Sequence, residues 1–451
     1  MEHQKNKESR LAEFSQNPEK ALWKLAVPMM FGMFVQSIYM LTDTAYIGNW
    51  VGHEGLAALG YVWPYMFIIM GITFGLGSGA TAVIAKYIGE KNKDDADKAA
   101  GQTLFIGIFI SLLIICIIFL LKENIFRIQN AEDDIIEISL IYFRIVGGGS
   151  FLMILGMFFR AILSGEGDNM FPMKVLGIGT VLNMILDPPF IYYKGVEVAA
   201  LATIFSQTIV LLIFIFYMAY KKTSYIHLSI KNLKPDFKII SKILKIGIPS
   251  SLSMIIMACG AFVFNYILDS TDAVAAFQTA GRIENLFFLP IISISSSLVT
   301  LVGMFYGAKK YNLINRITKY GIYSGLAISL ISCAFFFFLA DYIVPLFIRA
   351  DNGELVRKIT IQYFSICCFT YPFVTIGMTS SRVMQGLGHG IPVLVLTLLR
   401  VCLISAPLSW ICINILNLPL EYVWYSILLS SIITSFTGLL WMKKVVKIIT
   451  T

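Results

Sequence analysis

Charged side chains are scarce in this chain: they make up 14% of its residues, against about a quarter in an average soluble domain. Together with 57% hydrophobic residues and a mean hydropathy of +0.77, that deficit excludes an ordinary water-soluble globule. Histidine is rarer still. His3, His53, His227 and His389 are too scattered to ligate a metal. The seven cysteines fall in apolar stretches with neither disulfide-framework nor zinc spacing. The first twenty residues are polar and lack the apolar centre of a secretory signal, so the first hydrophobic span is its own insertion signal. The loops gather no cluster of nucleophile, base or metal ligands. Neither an enzyme nor a bound cofactor is therefore expected, and no strand alternation of the membrane-barrel kind is present.

What the chain has in abundance is long apolar runs, the signature of membrane helices. Twelve spans are predicted, at 22–48, 56–84, 98–121, 134–160, 170–193, 196–220, 242–268, 273–303, 315–340, 355–381, 391–416 and 420–442. The net charge of +8 resides mainly in alternate loops: Lys86, Lys91 and Lys93 in one, Lys221 to Lys245 in the centre, Lys309 and Lys310 later. Opposite loops are poor in basic residues or acidic, as at Glu132 to Asp134. The positive-inside rule then puts both termini and the central linker in the cytoplasm. The basic excess is a topology signal, and nucleic-acid binding is not expected. The bilayer and small organic solutes are the expected partners, a cell-membrane monomer the expected form.

Two halves of the chain resemble each other. WKLAVPMM (23–30) aligns with LKIGIPSS (244–251), GLAALG (55–60) with AVAAFQ (273–278), SGATAVIAKYIGEKN (78–92) with SSLVTLVGMFYGAKK (296–310), and ILSGEG (162–167) with VMQGLG (383–388). The offsets stay within a few residues of one another, and Gly89 falls opposite Gly307. Six spans separate equivalent points, so the halves insert in the same orientation, related by an axis along the membrane normal. The expected fold is all-α: an N-terminal six-helix lobe at 1–220, a cytoplasmic linker at 221–241 and a C-terminal lobe at 242–451. Such a pair of lobes suits alternating access.

Two acids stand out because only one half has them. Asp43 and Asp187 lie inside apolar spans, about five and about six residues from the outer end, hence at similar depth. An ionisable group there marks an ion or proton path by default. Gln36 lies two turns before Asp43 on roughly the same face, and Asn183 one turn before Asp187. Pro188 and Pro189 lack amide hydrogens, which frees the carbonyls of Met184 and Ile185. Carboxylate, amide and carbonyl oxygens together suit a proton or sodium.

PMMFGMFVQSIYMLTDTAYIG, AKYIGEKN, LSGEGD and NMILDPPF together resemble the multidrug and toxic compound extrusion (MATE) family, most closely its prokaryotic DNA-damage-inducible (DinF-like) branch. The resemblance spans essentially the whole chain. It implies a coupling-ion cavity in the first lobe at Asp43, Asn183, Asp187 and Thr203, also the candidate sodium positions, with Gln36 and Tyr142 in the same network. A different branch carries acids in the second lobe as well; here the counterparts of Asp43 and Asp187 are Phe264 and a position near Leu408. The expected activity is antiport of organic, often cationic, compounds against protons or sodium. Abundant Phe, Tyr and Met would suit a broad pocket for lipophilic cations.

The alternative is a flippase for lipid-linked sugars within the same superfamily. Arg144, Arg282, Glu284 and Arg400 lie deep in spans and are candidates for charges lining the cleft, where the arginines would hold a pyrophosphate. The discriminator is whether arginines converge on the central cleft or pair off within a lobe.

Overall fold

In the computed structural model, which describes residues 10–50, 53–121, 127, 133–194, 196–220, 224–348 and 353–450, every regular element among the described residues is helical. The first half comprises α1 (Pro18–Trp50), α2 (His53–Gly89), α3 (Lys93–Leu121), α4 (Asp133–Gly148), α5 (Ser150–Glu166), α6 (Met170–Lys194) and α7 (Val196–Ile215). The second comprises α8 (Phe237–Leu268), α9 (Thr271–Gly307), α10 (Tyr311–Phe347), α11 (Glu354–Cys367), α12 (Thr370–Gly386), α13 (Ile391–Leu398), α14 (Ala406–Trp410) and α15 (Glu421–Thr450). Ten described helices are long and apolar enough to cross a bilayer, or twelve spans if α4–α5 and α11–α12 each count as one.

Those two spans are bent, by 41° and 57°, where the sequence predicts continuous helices. The first breaks at Gly147–Gly148–Gly149, a run with little helical preference. The second breaks at Cys368–Phe369, just before Pro372, whose missing N–H leaves the Cys368 carbonyl to the Tyr371 amide at 3.2 Å. Both helices also run further than predicted. α5 continues to Glu166 rather than stopping at 160, and α12 to Gly386 rather than 381.

Backbone geometry repeats with the sequence. Residues with left-handed φ occur at Lys91 (58°) and Lys309 (57°), and at Gly167 (86°) and Gly388 (94°). These pairs reproduce the offsets of the internal alignment. Gly167 and Gly388 sit just past helix ends, where a left-handed residue closes the last turn and glycine carries no steric penalty.

The halves meet most tightly at the lysine-rich end. There α2 lies along α8 and α9, and α9 also touches α1. A Cβ on Gly79 would come within 2.6 Å of the Ile243 carbonyl oxygen and 2.7 Å of the Gly247 nitrogen. Gly89 abuts the Met304 carbonyl, and reciprocally Gly307 abuts the Lys86 carbonyl. Small residues let backbones approach this closely within a membrane. One hydrophobic core runs across both halves here, from Leu22 and Ile84 to Leu298 and Met384. A second core, containing Phe264, Phe336, Tyr371 and Trp424, belongs to the second half alone.

The chain between halves is strapped to the first half. Glu166 accepts bonds from the Ser224 hydroxyl, the Tyr225 amide (2.6 Å) and the Ile226 amide (3.4 Å). Gln102 donates to the carbonyls of Asn232 and Lys234, both at 2.7 Å, and accepts from the Asp236 amide at 3.0 Å. Asp236 then caps α8 through the amides of Lys238 and Ile239, so the second half's first helix begins within the predicted linker. Arg10 joins this cluster, 3.0 Å from Asp168 and 3.6 Å from Glu166. Burial opposes its charge, yet the two carboxylates raise its pKa above the ordinary value.

Candidate functional site

Helix α6 places Asn183 and Asp187 one turn apart, and both are buried, at 4% and 1% exposure. A buried amide must satisfy both its ends, which fixes how Asn183 is turned. Its nitrogen donates to Asp187 (2.8 Å to Oδ2, 3.3 Å to Oδ1) and to the Tyr39 hydroxyl at 2.7 Å. Its oxygen accepts from the Thr203 backbone N–H at 3.1 Å. Ser206, one turn beyond Ala202, bonds the carbonyl of that residue at 2.9 Å and packs at the same junction. Three helices, α1, α6 and α7, thus converge on one amide, Asn183, that is bonded to a buried carboxylate. Groups of this kind can take up and release a proton or a hard monovalent cation.

The expected residues distribute unevenly around this point. Asn183, Asp187 and the backbone of Thr203 come together. Asp43 belongs to α1, one turn past Tyr39, but its side chain lies outside the described residues. Tyr142 is half-buried against the core shared by the two halves. Gln36 is exposed and lines a separate small cavity with Arg160, Asn169 and Met173. Tyr39 was not anticipated, although its position one turn before Asp43 puts it on that residue's helix face.

Of the charges expected in the cleft, Arg144 and Arg282 are exposed, and Arg400 is the second residue of a π-helical stretch, Leu399–Ser405, ahead of Pro407. Glu284 accepts from the Tyr371 hydroxyl at 2.7 Å and the Tyr363 hydroxyl at 3.1 Å, inside the second half's own core. None of these four lines the central cavity.

That cavity lies between the halves, beside the tightly packed end, and is partly open, with about 580 Å³ of space including the solvent at its mouth. α1, α2, α5, α9 and α12 all contribute to it. Its charged lining is Arg160 from α5 and Arg382 from α12; no carboxylate lines it among the described residues. Sequence reasoning missed both arginines because the predicted spans ended at 160 and 381, which made each look like a residue at the membrane boundary. The longer helices carry them inside. A further signal was available: they flank the aligned ILSGEG and VMQGLG segments at adjacent repeat positions.

A sequence profile of the MatE family matches residues 28–188 and again 249–411. The chain belongs to the MatE family. Its two matches begin 221 residues apart, the offset at which Pro28 faces Pro249 in the internal alignment. Among curated relatives, the MatE chain is 24% identical to the probable multidrug resistance protein NorM of Thermotoga maritima, covering 93% of this chain and 91% of that one. Among solved structures it is similar to a MOP superfamily transporter from Pyrococcus furiosus (TM-score 0.92, 28% identity, 96% and 97% coverage), described as having a binding pocket of reverse polarity that suggests a different function. It is also similar to a multidrug resistance MATE transporter in an outward-facing conformation (TM-score 0.91, 29% identity, 96% of each chain). The protein is a multi-pass membrane transporter of the multidrug efflux family.

Proposed function

We infer that this MatE protein is a secondary active antiporter, exporting small organic compounds in exchange for protons or sodium. One observation carries the reading: a carboxylate, Asp187, held in the apolar interior of the first half by Asn183, with Tyr39 and Thr203 on the same amide. Burying such a group is costly unless it binds something, and in a transporter that something is the coupling ion. The counterpart positions in the second half are apolar, which supports coupling through the first half alone and membership of the DinF-like branch. With the lysine-rich end in the cytoplasm, the sealed contact between the halves faces inward and the arrangement is outward-facing. Ion binding at Asp187 and substrate binding are then mutually linked: each weakens the other by the same factor, so ion uptake favours substrate release.

Proteoliposomes loaded with ethidium test this, with pH and sodium gradients imposed separately. Asp187→Asn should abolish gradient-driven export; undiminished coupled export by that variant would overturn the reading. A lipid-linked-sugar flippase remains the second reading, favoured by the arginine lining of the central cavity. Arg144, Arg282 and Arg400 do not supply that lining. The cationic substrates expected from the aromatic content would enter a cavity whose charges are both positive.

A further inference from the structure

The central cavity carries an imbalance of hydrogen-bonding groups as well as of charge. Most of its polar lining is satisfied internally. Thr73 bonds the Ile69 carbonyl at 2.7 Å, Thr81 the Ala161 carbonyl at 2.9 Å, and Thr300 the Ser164 carbonyl at 3.0 Å. Asn169 donates to the Leu25 carbonyl at 2.9 Å and accepts from Ser164 at 2.7 Å. What is left over is donors. Among the described residues Arg160 has neither a hydrogen bond nor an ion pair. The Ser296 hydroxyl is buried with no partner.

Arg382 is held in place rather than satisfied. It is 7% exposed. Its Nη1 donates to Gln385 at 2.8 Å, and its guanidinium sits 5.7 Å from the centre of the Phe74 ring. Gln385 is in turn fixed by donating to Ser78 and Ser250, each at 2.7 Å, so the arginine is tied to α2 and α8 at once. A guanidinium offers five N–H donors and accepts none. Gln385 uses one of those donors. A buried cation and a half-buried one, with no carboxylate beside them among the described residues, are unfavourable unless something negative joins them. Met29, Phe74, Met157 and Val299 make the rest of the wall apolar.

Resting on the transporter reading above, we propose that the central cavity binds an amphipathic organic anion. Its phosphate or carboxylate sits between Arg160 and Arg382, with Ser296 as a further donor, and its apolar part lies against Phe74, Met157 and Val299. One guanidinium comes from each half, so the anion bridges the two bodies that must move during transport. The planar forks of arginine match phosphate and carboxylate oxygens better than lysine would. The same head-group chemistry occurs in an anionic lipid and in a free organic anion.

The test begins with binding, which needs no gradient. Full-length protein in phosphatidylcholine nanodiscs is titrated with hexyl phosphate and, as a matched cation of equal tail, hexyltrimethylammonium. The wild type should prefer the phosphate by about tenfold or more, as charge-assisted hydrogen bonds predict. Arg160→Gln with Arg382→Gln should erase the preference, and the Arg→Lys pair should restore part of it at an unchanged melting temperature. Equal binding of both probes by the wild type, a comparison that needs no variant, would overturn the proposal. Proteoliposomes then separate the sources. Arginine-dependent movement of fluorescent phosphatidylglycerol identifies a lipid head group, and arginine-dependent efflux of carboxyfluorescein a soluble anion. Export of ethidium with movement of neither anion overturns the proposal while leaving the antiporter reading intact. Anion binding that persists in Asp187→Asn without coupled transport supports the proposal separately from the coupling mechanism.

Discussion

Each half of the molecule sets a carboxylate beside tyrosine, Asp187 buried and Glu284 half-buried, yet the two are built differently. Asp187 shares its Asn183 partner with a second helix and with a backbone amide from a third, at a junction of α1, α6 and α7. Glu284 faces two phenols, both from the bent span α11–α12, within a closed aromatic core that includes Phe336 and Trp424. The first arrangement joins three helices through a single side-chain amide. The second is sealed by ring packing, such as the 4.5 Å stack of Phe336 on Phe364. Each acid ties three helices together, so helix count does not separate them; what distinguishes the two is the setting, an amide junction at Asn183 in one and an aromatic core in the other.

The strongest way to break this contrast is at the acids themselves. Asp187→Asn should lower gradient-driven export by at least about tenfold, whereas Glu284→Gln should keep it within about twofold, since one loses a titrating group and the other only a structural acceptor. Equal losses in both variants, measured in the same vesicles, would erase the distinction. Next in size is the contact between the halves. Gly307→Leu forces a side chain onto the Lys86 carbonyl and should cost the sealed arrangement about 2–3 kcal/mol, read as a lowered melting temperature. The pseudo-symmetric Gly89→Leu should cost about as much, and a clear difference would show that the halves do not share the load.

Smaller effects sharpen the picture. Asn183→Leu removes an amide donor from the buried Asp187 and should cost about 1–3 kcal/mol, read as a lowered melting temperature. Tyr371→Phe removes one of two donors from Glu284 and should cost about 1 kcal/mol in denaturant unfolding. The smallest is expected at Gly388→Ala, about 1 kcal/mol or less for a left-handed residue with open space around it; Gly167→Ala should cost more, because its new methyl meets Phe14 at 2.7 Å.

Hydropathy was enough to read the helical class and the apolar spans, because both depend on composition over tens of residues, and short motifs recurring at a near-constant offset gave away the repeat. The pairing of Asn183 with Asp187 was equally legible, since i to i+4 spacing fixes it within one helix. Tyr39 was not, although its spacing from Asp43 was on view, because nothing local tells a phenol that caps an amide from one that meets lipid. Arg160 and Arg382 were lost for a different reason. Helix ends were placed where hydropathy fell, and at α5 and α12 it falls more than a turn before the helix does. The bends at Gly149 and Phe369 were likewise invisible to a window of average hydropathy, though the glycine run and Pro372 announce them.

The strap at 224–236 has almost no free length among the described residues. Anchored by Glu166 at one end and Gln102 at the other, it travels with the first body as a fixed arm, and the crossing to the second is made at Asp236, where α8 begins. Any swing between the two bodies must therefore be absorbed by bending along α8 itself, at or beyond its first turn, in the manner of a leaf spring clamped at one end.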